Sequence, residues 1–479
     1  MPPRVWRLFT RSSVATIPYP RAMALNRQLK FTSTLAVSVA MMAPSLAISL
    51  NPQVMVGDVG AAIPVAFLVA AITVPLLGWC FAILARRDNG QAGSVYRYVG
   101  STLGARLGSF TGVLLACTYT IAVAIGGTGV SVLASVFLDR KNASLPTWFM
   151  ASLAAIAIIA AGLIALGHPP FLTRIMLALE LITVSLIVLA SLYMLFVLVT
   201  KGGPQGQQPT SAALSLSGVT ITALALASVI GFLSFAGFEG AAASGGESLN
   251  PQRSIPRAIL GTALFAGVFF FVVSLIMVWA YGTSPAQLLT LANSDSVVGD
   301  AADQYIGVWM GDLITFGGMA SAFGTAMAGT YAASRMFFGM ADDGLLPRRL
   351  ASLDSKQVPR VAVFFVSGVA LVVALAWTFG TNINDAFGAI STWAGLMFLL
   401  VYLFVPLAAG RALWGPTVTD KARAVIVPFV VFSVVGFVLF KSAWPLPTGY
   451  LAVVPWLALG IAGLSVLVAV TRRPAPRPA

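Results

Sequence analysis

The chain has 479 residues, of which 58% are hydrophobic and only 9% charged, and its mean hydropathy is +0.92. Soluble proteins carry about 25% charged residues, so water is excluded as the main solvent and the chain reads as an integral membrane protein. The formal net charge of +13 collects in the gaps between apolar runs, with no basic stripe interleaved with aromatics, which excludes a nucleic-acid-binding role.

The first thirty residues hold Arg4, Arg7, Arg11, Arg21, Arg27 and Lys30 without a single acid, and residues 1–30 read as a basic cytoplasmic tail. No apolar core follows the early arginines, so this is not a cleaved secretory signal. Met23 is an alternative start, which leaves open whether residues 1–22 belong to the native protein. Runs of about twenty or more apolar residues mark transmembrane helices. They fall at 31–52, 59–84, 107–137, 147–167, 173–199, 218–244, 257–281, 305–340, 361–379, 387–409, 424–443 and 450–470, about twelve helices, followed by a short tail at 471–479. Polar punctuation such as Arg86-Arg87-Asp88-Asn89-Gly90 and Asp342-Asp343-Gly344 separates them. The two cysteines, Cys80 and Cys117, lie inside apolar runs, and the one histidine, His168, ends a run. That leaves neither a disulfide framework nor a metal cluster. No cofactor is expected, and with no nucleophile–base–orienter motif the chain reads as no enzyme.

Placing the N-terminus inside puts all but four of the 28 Lys and Arg residues on one side, the exceptions being Arg140, Lys141, Lys201 and Lys441. The positive-inside rule then predicts both termini in the cytoplasm, with the plasma (inner) membrane as the expected location. Ser294 is the natural position for a probe on the outer side, and Lys421 for one on the inner side.

Two runs are built differently. The first contains Met41-Met42-Ala43-Pro44-Ser45, where Pro44 removes a backbone donor. The sixth contains Phe235-Ala236-Gly237-Phe238-Glu239-Gly240, where glycine lowers the cost of leaving the helix. Released backbone at membrane depth costs several kcal/mol unless it lines a wet cavity or meets a ligand. Breaks in the first and sixth of two sets of five match inverted-repeat carriers with a midplane site. Half-helix N-termini there suit an anion and freed carbonyls a cation, which together fit a zwitterionic small molecule. Two acids, Glu180 and Glu239, sit deep in the fifth and sixth runs, where a charge costs about 2.5–3.5 kcal/mol.

Three stretches carry a family resemblance. The first is Gly231-Phe232-Leu233-Ser234-Phe235-Ala236-Gly237-Phe238-Glu239, continuing through Glu247, Asn250-Pro251, Arg253 and Ile255-Pro256-Arg257. The second is Arg87, then Ala92-Gly93-Ser94-Val95-Tyr96-Arg97-Tyr98 and Leu103-Gly104. The third is Ser334-Arg335, Met340-Ala341-Asp342-Asp343-Gly344-Leu345-Leu346-Pro347 and Val358-Pro359. Together they resemble permeases of the amino acid–polyamine–organocation (APC) superfamily. The resemblance implies an all-α fold with a ten-helix core at 31–409, made of inverted repeats 31–199 and 218–409, plus two more helices at 424–470. It also implies alternating access and an amino acid or related amine as substrate, with protons or exchange driving transport.

Carried over to this sequence, the substrate-binding positions are Ala43, Pro44, Ser45 and Leu46 of the first break and Leu233, Phe235, Ala236, Gly237 and Phe238 of the sixth. Glu239 matches the family's acid beside the sixth break. Glu180 is the second coupling or gating candidate by its depth in the fifth run and not by carry-over, and Glu247, Arg253 and Arg257 are expected to orient the loop beyond. Where relatives have a Gly-small-Gly triad this chain has Ala43-Pro44-Ser45, so a carboxylate would rest on the Ser45 and Leu46 amides and the Ser45 hydroxyl. Leu233 replaces a capping aromatic, and Glu180 stands where some relatives have lysine. The small residues of the eighth run (Gly311, Gly317, Gly318, Gly324, Gly329) read as helix-packing surface. Two alternatives remain at this point. One is a major-facilitator carrier, although those divide six plus six around a long central loop. The other is a non-transporting sensor of the same fold. The oligomeric state is not read from the sequence.

Overall fold

The computed structural model describes residues 25–88, 94–139 and 145–472. Most of the basic tail (1–24), Ala92 and Gly93 of the second motif, Arg140 and Lys141, and residues 473–479 lie outside the described residues. Among the described residues the regular structure is helical, with one isolated bridge between Leu29 and Ser248.

The apolar runs form α1 in two pieces (α1a, Phe31–Met42, and α1b, Pro44–Leu50), then α2 (Ile63–Arg87), α3 (Ala105–Asp139), α4 (Thr147–Ala165) and α5 (Pro169–Thr200). After these come α6 (Ile221–Phe235), α7 (Pro251–Tyr281), α8 (Val308–Asp342), α9 (Arg360–Gly380), α10 (Ile383–Leu413), α11 (Val418–Ala443) and α12 (Val454–Thr471). Several begin earlier than hydropathy alone predicts. α5 and α7 each start on a proline in the first turn, where the missing N–H costs nothing. α10 starts beyond Asn382, whose side chain accepts from the Asp385 amide at 2.9 Å. Polar capping residues extend a helix past its apolar stretch. Four shorter helices, Pro52–Val59, Ser94–Leu103, Pro285–Ala292 and Val297–Tyr305, were not expected from the apolar runs.

Eleven of the described helical segments are long and apolar enough to cross a membrane, and the chain is an integral membrane protein. α8, with 35 residues, is long enough but is not among them. Its place explains its composition: nearly every residue from Ser321 to Ala341 is buried by protein, so it needs little lipid-compatible surface. Lipid-facing positions are instead exposed large side chains such as Ile182, Leu189, Phe196, Phe364, Phe429 and Leu467.

The most extensive helix pairings are α3 with α8 and α2 with α7, and α4 also packs on α9. Each joins helices five places apart in chain order. Close approach of α3 and α8 depends on small residues. A Cβ on Gly126 would lie 2.6 Å from the Ala322 carbonyl oxygen, and one on Gly329 would lie 3.0 Å from that of Tyr119. The packing role read for the eighth run is visible at Gly329.

Candidate functional site

Pro44 cannot donate to the carbonyl four residues earlier, that of Ala40. The helix stops at Met42, Ala43 turns left-handed (φ 48°, ψ 63°), and Pro44 becomes the first residue of α1b. The orphaned Ala40 carbonyl instead accepts the Thr325 hydroxyl of α8 at 3.2 Å. This is the accounting that a break at membrane depth demands.

α6 ends at Phe235, Gly237 sits at φ 97°, and the chain resumes as a short 3-10 turn over Gly240–Ser244 rather than as a second α-helical half. The two breaks lie against each other. A Cβ on Gly237 would stand 2.8 Å from the Met41 carbonyl carbon, and one on Gly240 would stand 3.2 Å from the Val37 oxygen. The Ala241 amide donates to Ser38 Oγ at 2.9 Å, and Asn51 beyond α1b donates to Ser234 Oγ at 2.6 Å.

Beside the touching breaks is a cavity walled by Met41, Met42, Ala43, Leu46, Ala47 and Asn51, by Ala122 and Ile125 of α3, by Leu233 and Ala236, by Thr325, and by Phe387, Ser391 and Phe398 of α10. Of the nine nominated binding residues, Ala43, Leu46, Leu233 and Ala236 line it. The other five are buried but do not. Phe235 packs on Phe270 with ring centroids 5.0 Å apart, and Phe238 packs on Phe81 and Tyr402. Gly237 is occupied by Met41, Pro44 starts the half-helix, and the Ser45 hydroxyl is spent on Thr183 Oγ1 at 2.8 Å. The Leu46 amide, expected to face a carboxylate, donates to Ser321 Oγ at 3.4 Å.

The two acids occupy different surroundings. Glu239, fully buried, accepts the Tyr119 hydroxyl at 3.0 Å on one oxygen and the Tyr402 hydroxyl at 2.7 Å on the other, which ties the stretch after α6 to α3 and α10. Glu180 is buried between α5 and α8. Its Oε1 accepts the Ser321 hydroxyl at 2.8 Å, while its Oε2 has no hydrogen-bond partner among the described residues. Ser321 therefore links Glu180 directly to the Leu46 amide at the first break.

At the end of the bundle where the arginines gather, the three motif stretches meet. Arg97 pairs with Asp343 at 3.2 Å, and Arg335, fully buried, pairs with Glu247 at 3.1 Å under the Tyr331 ring, whose hydroxyl also donates to Glu247. The Gln28 and Leu29 amides donate to the Glu247 carbonyl at 2.8 and 2.9 Å. Arg253 and Arg257 are exposed on the first turns of α7. Arg335 and Glu247 are buried, whereas Asn51, Leu233 and Phe387 at the cavity are half-buried.

Residues 41–441 match the amino acid permease family, a span that covers both breaks, both acids and all three motif stretches. The chain belongs to this family. It is a transporter of amino acids and not an enzyme, and the major-facilitator alternative falls away. The permease is 24% identical to a branched-chain amino acid permease of Lactococcus lactis over 80% of this chain and 81% of that one. It is 28% identical to an uncharacterized transporter of Mycobacterium tuberculosis over 69% and 70%. It is also 26% identical to a chloroplastic cationic amino acid transporter of Arabidopsis thaliana over 60% of this chain and 51% of that one.

The sequence did not point to Tyr119, Tyr402, Ser321, Thr325 and Asn51 as parts of the candidate site. Tyr119 and Tyr402 had a usable signal: they lie mid-helix, whereas tyrosines of membrane proteins favour the interfaces. The hydroxyls had none, because Ser and Thr in membrane helices ordinarily bond their own backbone.

Proposed function

We propose that this permease carries one amino acid or related amine at a time by alternating access around the paired breaks, with a proton or exchanged substrate as the driving partner. The observation that carries this reading is the contact of Gly237 with Met41. Two interrupted helices are held together beside a cavity, with their released backbone partly satisfied by α8. The substrate's carboxylate would meet the start of α1b at Ser45 and Leu46, displacing the Ser321 hydroxyl, and its ammonium would meet carbonyls at the end of α1a.

Glu180 is the proposed coupling group. An ionised carboxylate with one oxygen unpartnered is costly at this depth, so it takes up a proton or a cation, and Ser321 relays that event to the Leu46 amide. The arginine-rich end is the proposed cytoplasmic side, and the buried Glu247–Arg335 pair is the proposed gate there.

The test is uptake of labelled amino acids and amines into proteoliposomes with and without a pH gradient, for the wild type and Glu180→Gln. Glu180→Gln mimics the protonated acid. It should lose pH-driven accumulation but keep exchange of internal for external substrate. Equal pH-driven accumulation in the two proteins would remove Glu180 from the mechanism and leave Glu239 as the next acid to test.

A further inference from the structure

A second cavity adjoins the one at the breaks. It lies between α6, α10 and α11 and shares three walls with the first: Leu233, Ala236 and Phe398. No charged side chain lines either cavity. The second has three polar side chains, and each is already engaged. Thr392 donates to the Gly388 carbonyl at 2.8 Å, Ser442 to that of Val438 at 2.8 Å, and Tyr402 to Glu239 at 2.7 Å. The three hydroxyl protons are spent and no counter-charge is present. A carboxylate there would find no donor and an ammonium would meet only hydroxyl lone pairs, whereas an aliphatic or aromatic group would lose nothing.

Leu233 stands between the two cavities, opposite Gly395 of α10. A Cβ on Gly395 would lie 3.1 Å from Leu233 Cδ1, so the glycine leaves Leu233 just enough room to hold its present position. We propose that the second cavity receives the side chain of the transported amino acid and selects neutral aliphatic or aromatic ones. Leu233 and Gly395 together set how large a side chain enters. The inference rests on the reading that the substrate's α-carboxylate and α-ammonium are held at the breaks. Ala236 belongs to both cavities, so a molecule anchored there reaches the second cavity past Leu233.

The experiment measures uptake kinetics in proteoliposomes for alanine, leucine, phenylalanine, lysine and glutamate. The wild type should favour leucine or phenylalanine over alanine by about tenfold or more, since each methylene in an apolar pocket is worth about 10–200-fold. It should reject lysine and glutamate. Gly395→Leu, which fills the space beside Leu233, should raise KM for leucine and phenylalanine about tenfold while alanine shifts by less than about twofold. Adding Leu233→Ala to that variant should restore the larger substrates. If Gly395→Leu is not recovered folded, Gly395→Ala carries the same test with a smaller shift of the same sign. Equal KM changes for alanine and leucine, or lysine carried as well as leucine by the wild type, would overturn the proposal. Transport of none of the five by the wild type would instead overturn the broader reading on which it stands.

Discussion

Replacing Gly237 by alanine attacks the contact on which the paired breaks depend. The added carbon would lie 2.8 Å from the Met41 carbonyl carbon and 2.9 Å from its oxygen, and closer still to Met41 Cγ. The Met41 side chain can swing away, but its backbone is the last turn of α1a and cannot move without reopening the break. The φ of 97° adds about 1–2 kcal/mol for an L-residue, and overpacking adds about 1–3 kcal/mol. Together they amount to roughly 2–5 kcal/mol against the conformation seen here. At 1.4 kcal/mol per factor of ten, uptake should fall by about thirtyfold or more. The assay is initial uptake in proteoliposomes, normalised to protein that elutes as a single species from size exclusion. Gly261→Ala in α7 is the control. Nothing lies within 4 Å of its Cβ position, and alanine gains about 1 kcal/mol of helix propensity, so it should transport normally. Wild-type uptake by well-folded Gly237→Ala would refute a site at the touching breaks.

Pro44→Ala should be milder than Gly237→Ala, because Thr325 already satisfies the Ala40 carbonyl; an equally severe loss of uptake would contradict that accounting. Arg335→Ala should lower stability by about 3–5 kcal/mol by stranding the buried Glu247 carboxylate, whereas the double variant Glu247→Gln/Arg335→Met should recover most of it, as read by thermal unfolding in detergent. For orientation, the structure redirects the probe. Ser294 is buried and donates to Asp300 at 2.6 Å, so the exposed neighbour Asn293 is the better site. In a background without Cys80 and Cys117, Asn293→Cys should react with an impermeant reagent from outside intact cells and Lys421→Cys should not. The reverse pattern would invert the proposed topology.

Much of this permease was legible before any coordinate. The solvent is written in the composition, because 9% charge cannot clothe a water-soluble protein of this size. Both breaks are written in covalent chemistry: Pro44 has no N–H wherever it is placed, and Gly237 has no Cβ to forbid a positive φ. Such properties are local and survive any packing. The identities of Glu180 and Glu239 as membrane-embedded acids were likewise plain from the runs that hold them.

What each acid touches was not. Glu180 meets Ser321 across 141 residues and Glu239 meets Tyr402 across 163. Which hydroxyl reaches which carboxylate is set by the rotation and register of one helix against another. The same holds for Phe235 and Phe238, which the motif places at the break but which pack outward onto Phe270 and Phe81. Phe235 closes α6 and Phe238 lies in the non-helical stretch beyond it, so no helical periodicity sets their directions and only the assembled bundle decides which of them meets the cavity. α8 shows the reverse side of this. Its modest hydropathy hides a central helix, because its second half, from Ser321 to Ala341, is wrapped by protein and answers to its neighbours' shapes and not to lipid.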